Sequence, residues 1–141
     1  MRYMFIVKAS ENLAASGPPP AALIEAIDRL GAEAVKKGTM VSFGGLKPTS
    51  SGARMRITKG KIITTDGPFI ETKEVIGGFS IFNFATKEEA LEAARTFMEL
   101  HRVHWPQWEG ETEIRLMYEQ DDDVRATQIE ASRLLEHTDP N

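Results

Sequence analysis

Two amphipathic helices can cover one face of a small sheet, yet the strands of this chain carry apolar side chains on both faces. In the stretch Tyr3 to Lys8, Tyr3, Phe5 and Val7 point one way while Met4 and Ile6 point the other. In Gly78 to Phe84, Phe79 and Ile81 oppose Phe82 and Phe84. A sheet with one wet face alternates cleanly between apolar and polar residues. Side chains of this size contribute roughly 1.5–3 kcal/mol each when buried, and several left exposed together mark an interaction surface. The pattern predicts a sheet covered on one face by helices and on the other by a second copy of the chain, the commonest cover. A C-terminal helix folded back within one chain is the alternative.

The element order supports this reading. After the first strand, Ala9 to Pro20 reads as a loop ending in Gly17-Pro18-Pro19-Pro20, and proline is tolerated at a helix start. From Ala21 to Lys37 the apolar spacing is helical: Leu23, Ile27, Leu30 and Ala34 form a stripe, with Ile24 and Val35 beside it and Gly38 as the stop. Met40 to Leu46 reads as a strand. Ala53 to Thr58 and Lys61 to Thr65 flank Lys59-Gly60 as a hairpin. Another strand covers Gly78 to Phe84. Thr86 and Glu89 then form a capping box that opens a helix to Leu100 or His101, and Glu113 to Glu119 alternates as the last strand. The result is α+β, a ferredoxin-like βαββαβ unit with an inserted hairpin. Residues 1–119 form this domain. Residues 120–141 form an extension with a short helix opened by Asp121-Asp122-Asp123, where acidic residues suit the helix dipole.

Composition narrows the function classes. At 141 residues the chain is one domain, long enough to fold without disulfides or metal. It has no cysteine, which removes disulfide scaffolds, zinc ribbons and thiol catalysis together. A net charge of −4 argues against a nucleic-acid partner; Arg54, Arg56, Lys59 and Lys61 alternate with Met55 and Ile57 and read as the wet face of a hairpin. The apolar run at Tyr3 to Lys8 is too short for a signal peptide or a membrane span. The chain is expected to be cytoplasmic and away from membranes.

The distinctive stretch is Asp66-Gly67-Pro68-Phe69-Ile70-Glu71-Thr72-Lys73-Glu74. It sets a carboxylate at a strand end beside a conformationally free glycine and a stiffening proline. Such a rim position suits a general acid or base facing a cleft. Asp-Gly is also a common turn pair whose aspartate caps local N–H groups, and on the residues alone the turn is the simpler account.

This motif, with Gly77-Gly78-Phe79, Arg2-Tyr3-Met4 and Gly44-Gly45-Leu46-Lys47-Pro48, resembles the DGPF proteins of the YCII-related family over about residues 1 to 119. The resemblance implies a dimeric α+β barrel in which two sheets face each other. It also implies kinship with small lyase- and dehydrochlorinase-type enzymes that use a His–Asp pair, whose aspartate maps to Asp66. The histidine of that pair is expected between residues 8 and 20, and this chain has none there. Some DGPF proteins accompany alternative sigma factors, which implies a regulatory role as the other possibility.

Other candidates carry plainer readings beside the functional ones. His101 and His104 could reach Asp66, within one chain or from a partner, and rebuild a pair. Their spacing could also bring two imidazoles to a metal with Glu109 or Glu111, but histidines near a helix C-terminus interact well with the dipole in any case. No metal and no cofactor is expected. Trp105 and Trp108 read as packing at a pocket rim. Arg54, Arg56, Phe69, Lys73 and Trp105 are candidate ligand contacts, against the simpler view of Arg54 and Arg56 as a solvated strand face and Lys73 as a salt-bridged loop residue. Two functions follow: a cofactor-independent enzyme acting on a small molecule through Asp66, or a non-catalytic ligand-binding or sigma-factor-associated module.

Overall fold

The computed structural model describes residues 1–11, 17–69, 74–119 and 131–135. Its first strand, β1 (Arg2–Ala9), lies inside a four-stranded antiparallel sheet. The other members are β2 (Met40–Gly45), β5 (Val75–Asn83) and β6 (Gly110–Leu116), in the order β2-β5-β1-β6. Between β2 and β5 the chain forms a separate two-stranded sheet, β3 (Ala53–Thr58) with β4 (Lys61–Asp66), reached through a short 3-10 turn at Thr49–Ser51. Helix α1 (Ala21–Lys36) connects β1 to β2, and α2 (Lys87–His104) connects β5 to β6. The architecture is α+β with antiparallel sheets.

Register fixes which residues share a face. Tyr3 pairs with Phe82 and Leu116, and Phe5 with Ser80 and Ile114. Tyr3 and Phe5 are buried with Ala90 and Ala94 of α2, and Phe82, Phe84, Ala93 and Ile114 pack around them. The small side chains on α2 let it approach closely, and the rings of Phe5, Phe82 and Phe84 pack together at centroid separations of 4.9–6.4 Å, Phe5 tilted against Phe82 and both stacked with Phe84. On the opposite face Met4 pairs with Ile81 and Ile6 with Phe79. The two-faced apolar pattern of the strands is thus a property of the folded sheet.

Local signals explain the helix ends. Helix α1 stops in a Schellman arrangement, with Gly38 N–H on the Val35 carbonyl and Thr39 N–H on that of Ala34. Gly38 sits at φ +74°, where a glycine carries no steric cost. Thr86 Oγ1 accepts from Glu89 N–H at 3.2 Å, while Glu89 reaches back to the N–H of Ala85. The hairpin turn places Lys59 and Gly60 at φ 51° and 76°, as a two-residue hairpin demands.

Several boundaries differ from the sequence reading, among them the end of the last strand, which stops at Leu116 and not at Glu119. Helix α2 continues to His104 because His101, together with Trp105 at the cap, extends the buried stripe begun by Ala90 and Ala94. Strand β5 begins at Val75 and β6 at Gly110, since both pair with the end of β1 at Ala9. Ile24 and Val35 lie exposed beside the α1 stripe, whose deepest residue is Leu23. Among the described tail residues, 131–135 are helical and exposed; Asp121-Asp122-Asp123 lie outside the described residues. No helix among the described residues is long and apolar enough to cross a membrane.

Because Phe5 is the buried centre of the face under α2, Phe5→Ala is expected to cost about 3–5 kcal/mol by urea unfolding. Val35→Ala, at an exposed position, should stay within about 0.5 kcal/mol.

Candidate functional site

The loop leaving β4 is held from outside itself. Gly67 N–H donates to the Gly52 carbonyl at 2.8 Å, and Gly52 N–H donates to that of Thr49 at 2.9 Å. Phe69 N–H donates to Thr49 Oγ1 at 3.2 Å. Thr49 in turn donates its backbone N–H to Glu11 Oε1 at 2.5 Å and its hydroxyl to Oε2 at 2.7 Å. One carboxylate just past β1 therefore fixes the 3-10 turn, and the turn fixes the loop after Asp66. Gly67 is required by this approach, because a Cβ there would run into the Thr49 carbonyl. The Gly67–Pro68 peptide is cis.

Asp66 is exposed, and its carboxylate makes no hydrogen bond or ion pair with any described residue. The loop N–H groups at Gly67 and Phe69 are taken by Gly52 and Thr49, so Asp66 does not cap them. Among the described residues the aspartate is thus not the cap of its own turn; residues 70–73 lie outside them. On the opposite face of the hairpin from Asp66, whose cross-strand partner is Ala53, the Arg54 guanidinium lies 4.2 Å from the centroid of the half-buried Phe69 ring, a cation–π contact. Arg56 is exposed on the same face of β3 as Arg54. Lys73 lies outside the described residues.

The histidines belong to a second cluster. His101, only 6% exposed, is the buried polar residue of the described chain. Its ring lies 4.6 Å from the Phe97 ring and 4.6 Å from that of Trp108, which stacks at 6.0 Å on Trp105. Nδ1 stands 3.0 Å from the Phe97 carbonyl. A carbonyl only accepts, so Nδ1 carries the hydrogen and Nε2 is the acceptor nitrogen of the neutral ring. Burial pushes the imidazole below its ordinary pKa, opposed by the Phe97 hydrogen bond. His104 is half-buried in the last turn of α2, and Trp105 is buried at its cap.

Topology brings both clusters to one end of the sheet, because Ala9 pairs with Val75 after the Asp66 loop and with Gly110 after the Trp108 turn. It does not join them: Asp66 makes no hydrogen bond or ion pair to His101 or His104. No group of three or more His, Asp or Glu among the described residues is placed to hold a metal. Glu11 and Thr49 were missed by sequence reasoning. Glu11 is the one carboxylate in the Ala9–Pro20 loop, and the Ser/Thr run after Pro48 is a turn signal, but nothing in their spacing links residues 38 apart.

Two comparisons bear on kinship. The sequence pattern of the YCII-related domain matches residues 1–97. An uncharacterized protein of Rhizobium meliloti (strain 1021) is 40% identical over 72 residues, which span 51% of this chain and 56% of that protein. The chain thus spans little more than half the length of this relative.

Glu11→Gln and Thr49→Val are each expected to speed amide hydrogen exchange at Gly67 and Phe69 while leaving β1 protected. His101 gives a pH signature. Its folded pKa is lowered, so its contribution to stability is full above the ordinary value of about 6.5 and is lost as pH falls below it, where the unfolded chain binds the proton first. Urea midpoints measured between neutral and mildly acidic pH should fall more steeply for the wild type than for His101→Gln.

Proposed function

The chain belongs to the YCII-related family, and we propose that it is a DGPF-type member acting as a cofactor-independent enzyme of lyase or isomerase type on a small molecule. Asp66 is its general acid or base. In this reading the fold is ferredoxin-like: β1 and β2 are parallel and split by β5, with a helix on each crossover. Two copies join through their helix-free faces, where Met4, Ile6, Phe79 and Ile81 lie, as a dimeric α+β barrel in the cytoplasm.

One observation carries the chemistry. The described N–H groups of the turn after Asp66, those of Gly67 and Phe69, are satisfied by Gly52 and Thr49, and the carboxylate makes no hydrogen bond with any described residue. A carboxylate on a fixed backbone can take a proton from a substrate C–H or O–H and return it elsewhere. Arg54 and Arg56 lie on the strand paired with that of Asp66 but on its opposite face; reaching round the narrow ribbon, they supply positive charge for an anionic substrate, and Phe69 supplies an apolar surface. His101, whose Nε2 is the acceptor, is the second proton site at this end of the sheet. The pair would meet between subunits. A second reading is favoured by the exposure of Asp66: a non-catalytic ligand-binding or sigma-factor-associated module.

Ligand-observed NMR in deuterated buffer, over small carboxylic acids and phenols, separates the two. The enzyme reading expects deuterium to enter a bound compound, at a rate reduced about 10²–10⁴-fold by Asp66→Asn, with the urea midpoint unchanged. Binding without exchange, or equal exchange by the variant, would sink the enzyme and leave the module.

A further inference from the structure

The β3–β4 hairpin is a ribbon with two open edges, and the edges differ. The bond from Gly67 N–H to the Gly52 carbonyl sets the phase of the ladder. Arg54 with Thr65, Arg56 with Ile63 and Thr58 with Lys61 are the hydrogen-bonded pairs, and the pairs between them are not. Ala53, Met55 and Ile57 therefore turn their N–H and C=O groups outward on β3, and Ile62, Thr64 and Asp66 do so on β4. Among the described residues nothing takes up the outward groups of Ile62 and Thr64. Every residue of β4 is exposed. A two-stranded ribbon is marginal by itself in water, and an unpaired edge is a template for another strand.

Charge decides which edge can take a second copy of itself. Two copies meeting edge to edge about a two-fold axis run antiparallel with the same faces up, so only residues of one face come opposite each other. On β3, the registers that engage nearly the whole strand set Arg54 against Arg56, or Arg56 against itself. Like charges placed directly opposite are destabilising, so β3 is a guarded edge. On β4 the charges stand at the two ends, Lys61 and Asp66, and between them lie Ile62, Ile63, Thr64 and Thr65. These four are uncharged and β-branched, the residues that favour strands. Terminal charges alone would serve to blunt an edge. Here they are opposite in sign, so an antiparallel copy brings unlike ends together.

We propose that β4 is an association edge, to which β4 of a second copy of this chain adds in an antiparallel register centred on Ile63. The two hairpins then form one sheet in the order β3-β4-β4-β3. Ile62 pairs with Thr64 of the second copy, Lys61 with Thr65 and Ile63 with its own counterpart. Asp66, the one acid between Lys47 and Asp66, falls opposite Gly60 of the second copy, between Lys59 and Lys61 in sequence. Asp66 and Lys61 lie on opposite faces of the ribbon, so their attraction acts between neighbouring positions and not as a contact pair. The joined ribbon exceeds the three strands that an apolar-faced sheet needs for independent stability, and its apolar face runs through Met55, Ile57 and Ile62 of both copies. This edge is a different surface from the helix-free face of the main sheet, and the proposal does not rest on the dimer placed there. Where both contacts form, more than two chains assemble.

The chain has no cysteine, so a single introduced cysteine reports on the axis without interference. In the proposed register Ile63 meets its counterpart in a non-hydrogen-bonded pair, with Cα atoms about 4.5 Å apart, a separation that a disulfide spans. Mild oxidation of full-length Ile63→Cys is therefore expected to give a covalent dimer severalfold above Ile57→Cys, an exposed control on the guarded edge. Thr64→Pro removes an outward N–H without touching the β3 ladder and is tolerated at an edge. It should lower the mass seen by light scattering at least twofold, while Ile57→Pro leaves that mass unchanged. Cross-linking of Ile63→Cys at the control level overturns the proposal, and it decides the matter where the proline variant does not fold. A dimer whose mass Thr64→Pro does not change overturns the edge as well and leaves the sheet-face dimer standing. A wild type that is monomeric at all concentrations overturns both.

Discussion

Strand β1 is hydrogen-bonded on both sides, and the burial of its Tyr3 and Phe5 against Ala90 and Ala94 fixes the positions of the other elements. Alternation is strict in a strand, so committing Tyr3 and Phe5 to α2 commits Met4 and Ile6 to the other face. Pairing carries the same division into β5, where Phe82 follows Tyr3 and Phe79 follows Ile6. The helix layer and the apolar face opposite it are thus two consequences of one register. Shifting that register by one residue would exchange the two faces.

The same strand reaches the candidate site. Two residues beyond Ala9, Glu11 grips Thr49, and Thr49 holds the Asp66 loop through Phe69. The loop is therefore tied to the end of the central strand as well as to the hairpin. Backbone held in this way keeps a side chain in place without using that side chain as its own anchor. Histidine 101 shows the contrary economy: its Nδ1 is committed to Phe97 and its ring faces are packed on Phe97 and Trp108, leaving Nε2 as the polar atom with chemistry to offer.

Most of the fold was legible in the sequence because its signals are local. The Gly38 stop, the Thr86–Glu89 box and the Lys59-Gly60 turn each act within a few residues and lie where the pattern sets them. Boundaries slipped where a polar or aromatic residue fills an apolar role, as His101 and Trp105 do at the end of α2. The site was less legible. Asp66 was singled out by its motif, but whether it caps its own loop depends on Thr49 and Glu11, 17 and 55 residues away in sequence. No periodicity encodes a hydrogen bond between two loops. Lys73 lies outside the described residues, and the likeness to DGPF proteins names Asp66 without naming what holds it.

The central claim is that Glu11 and Thr49 carry the loop and leave the Asp66 carboxylate uncommitted. Urea unfolding of Asp66→Ala at neutral pH, read against the wild type, tests it most directly. A change within about 0.5 kcal/mol, as at a surface position without structural duty, is the predicted result. A loss of about 1 kcal/mol or more, the usual cost of deleting a capping side chain, would show that Asp66 holds its own turn and would contradict the account.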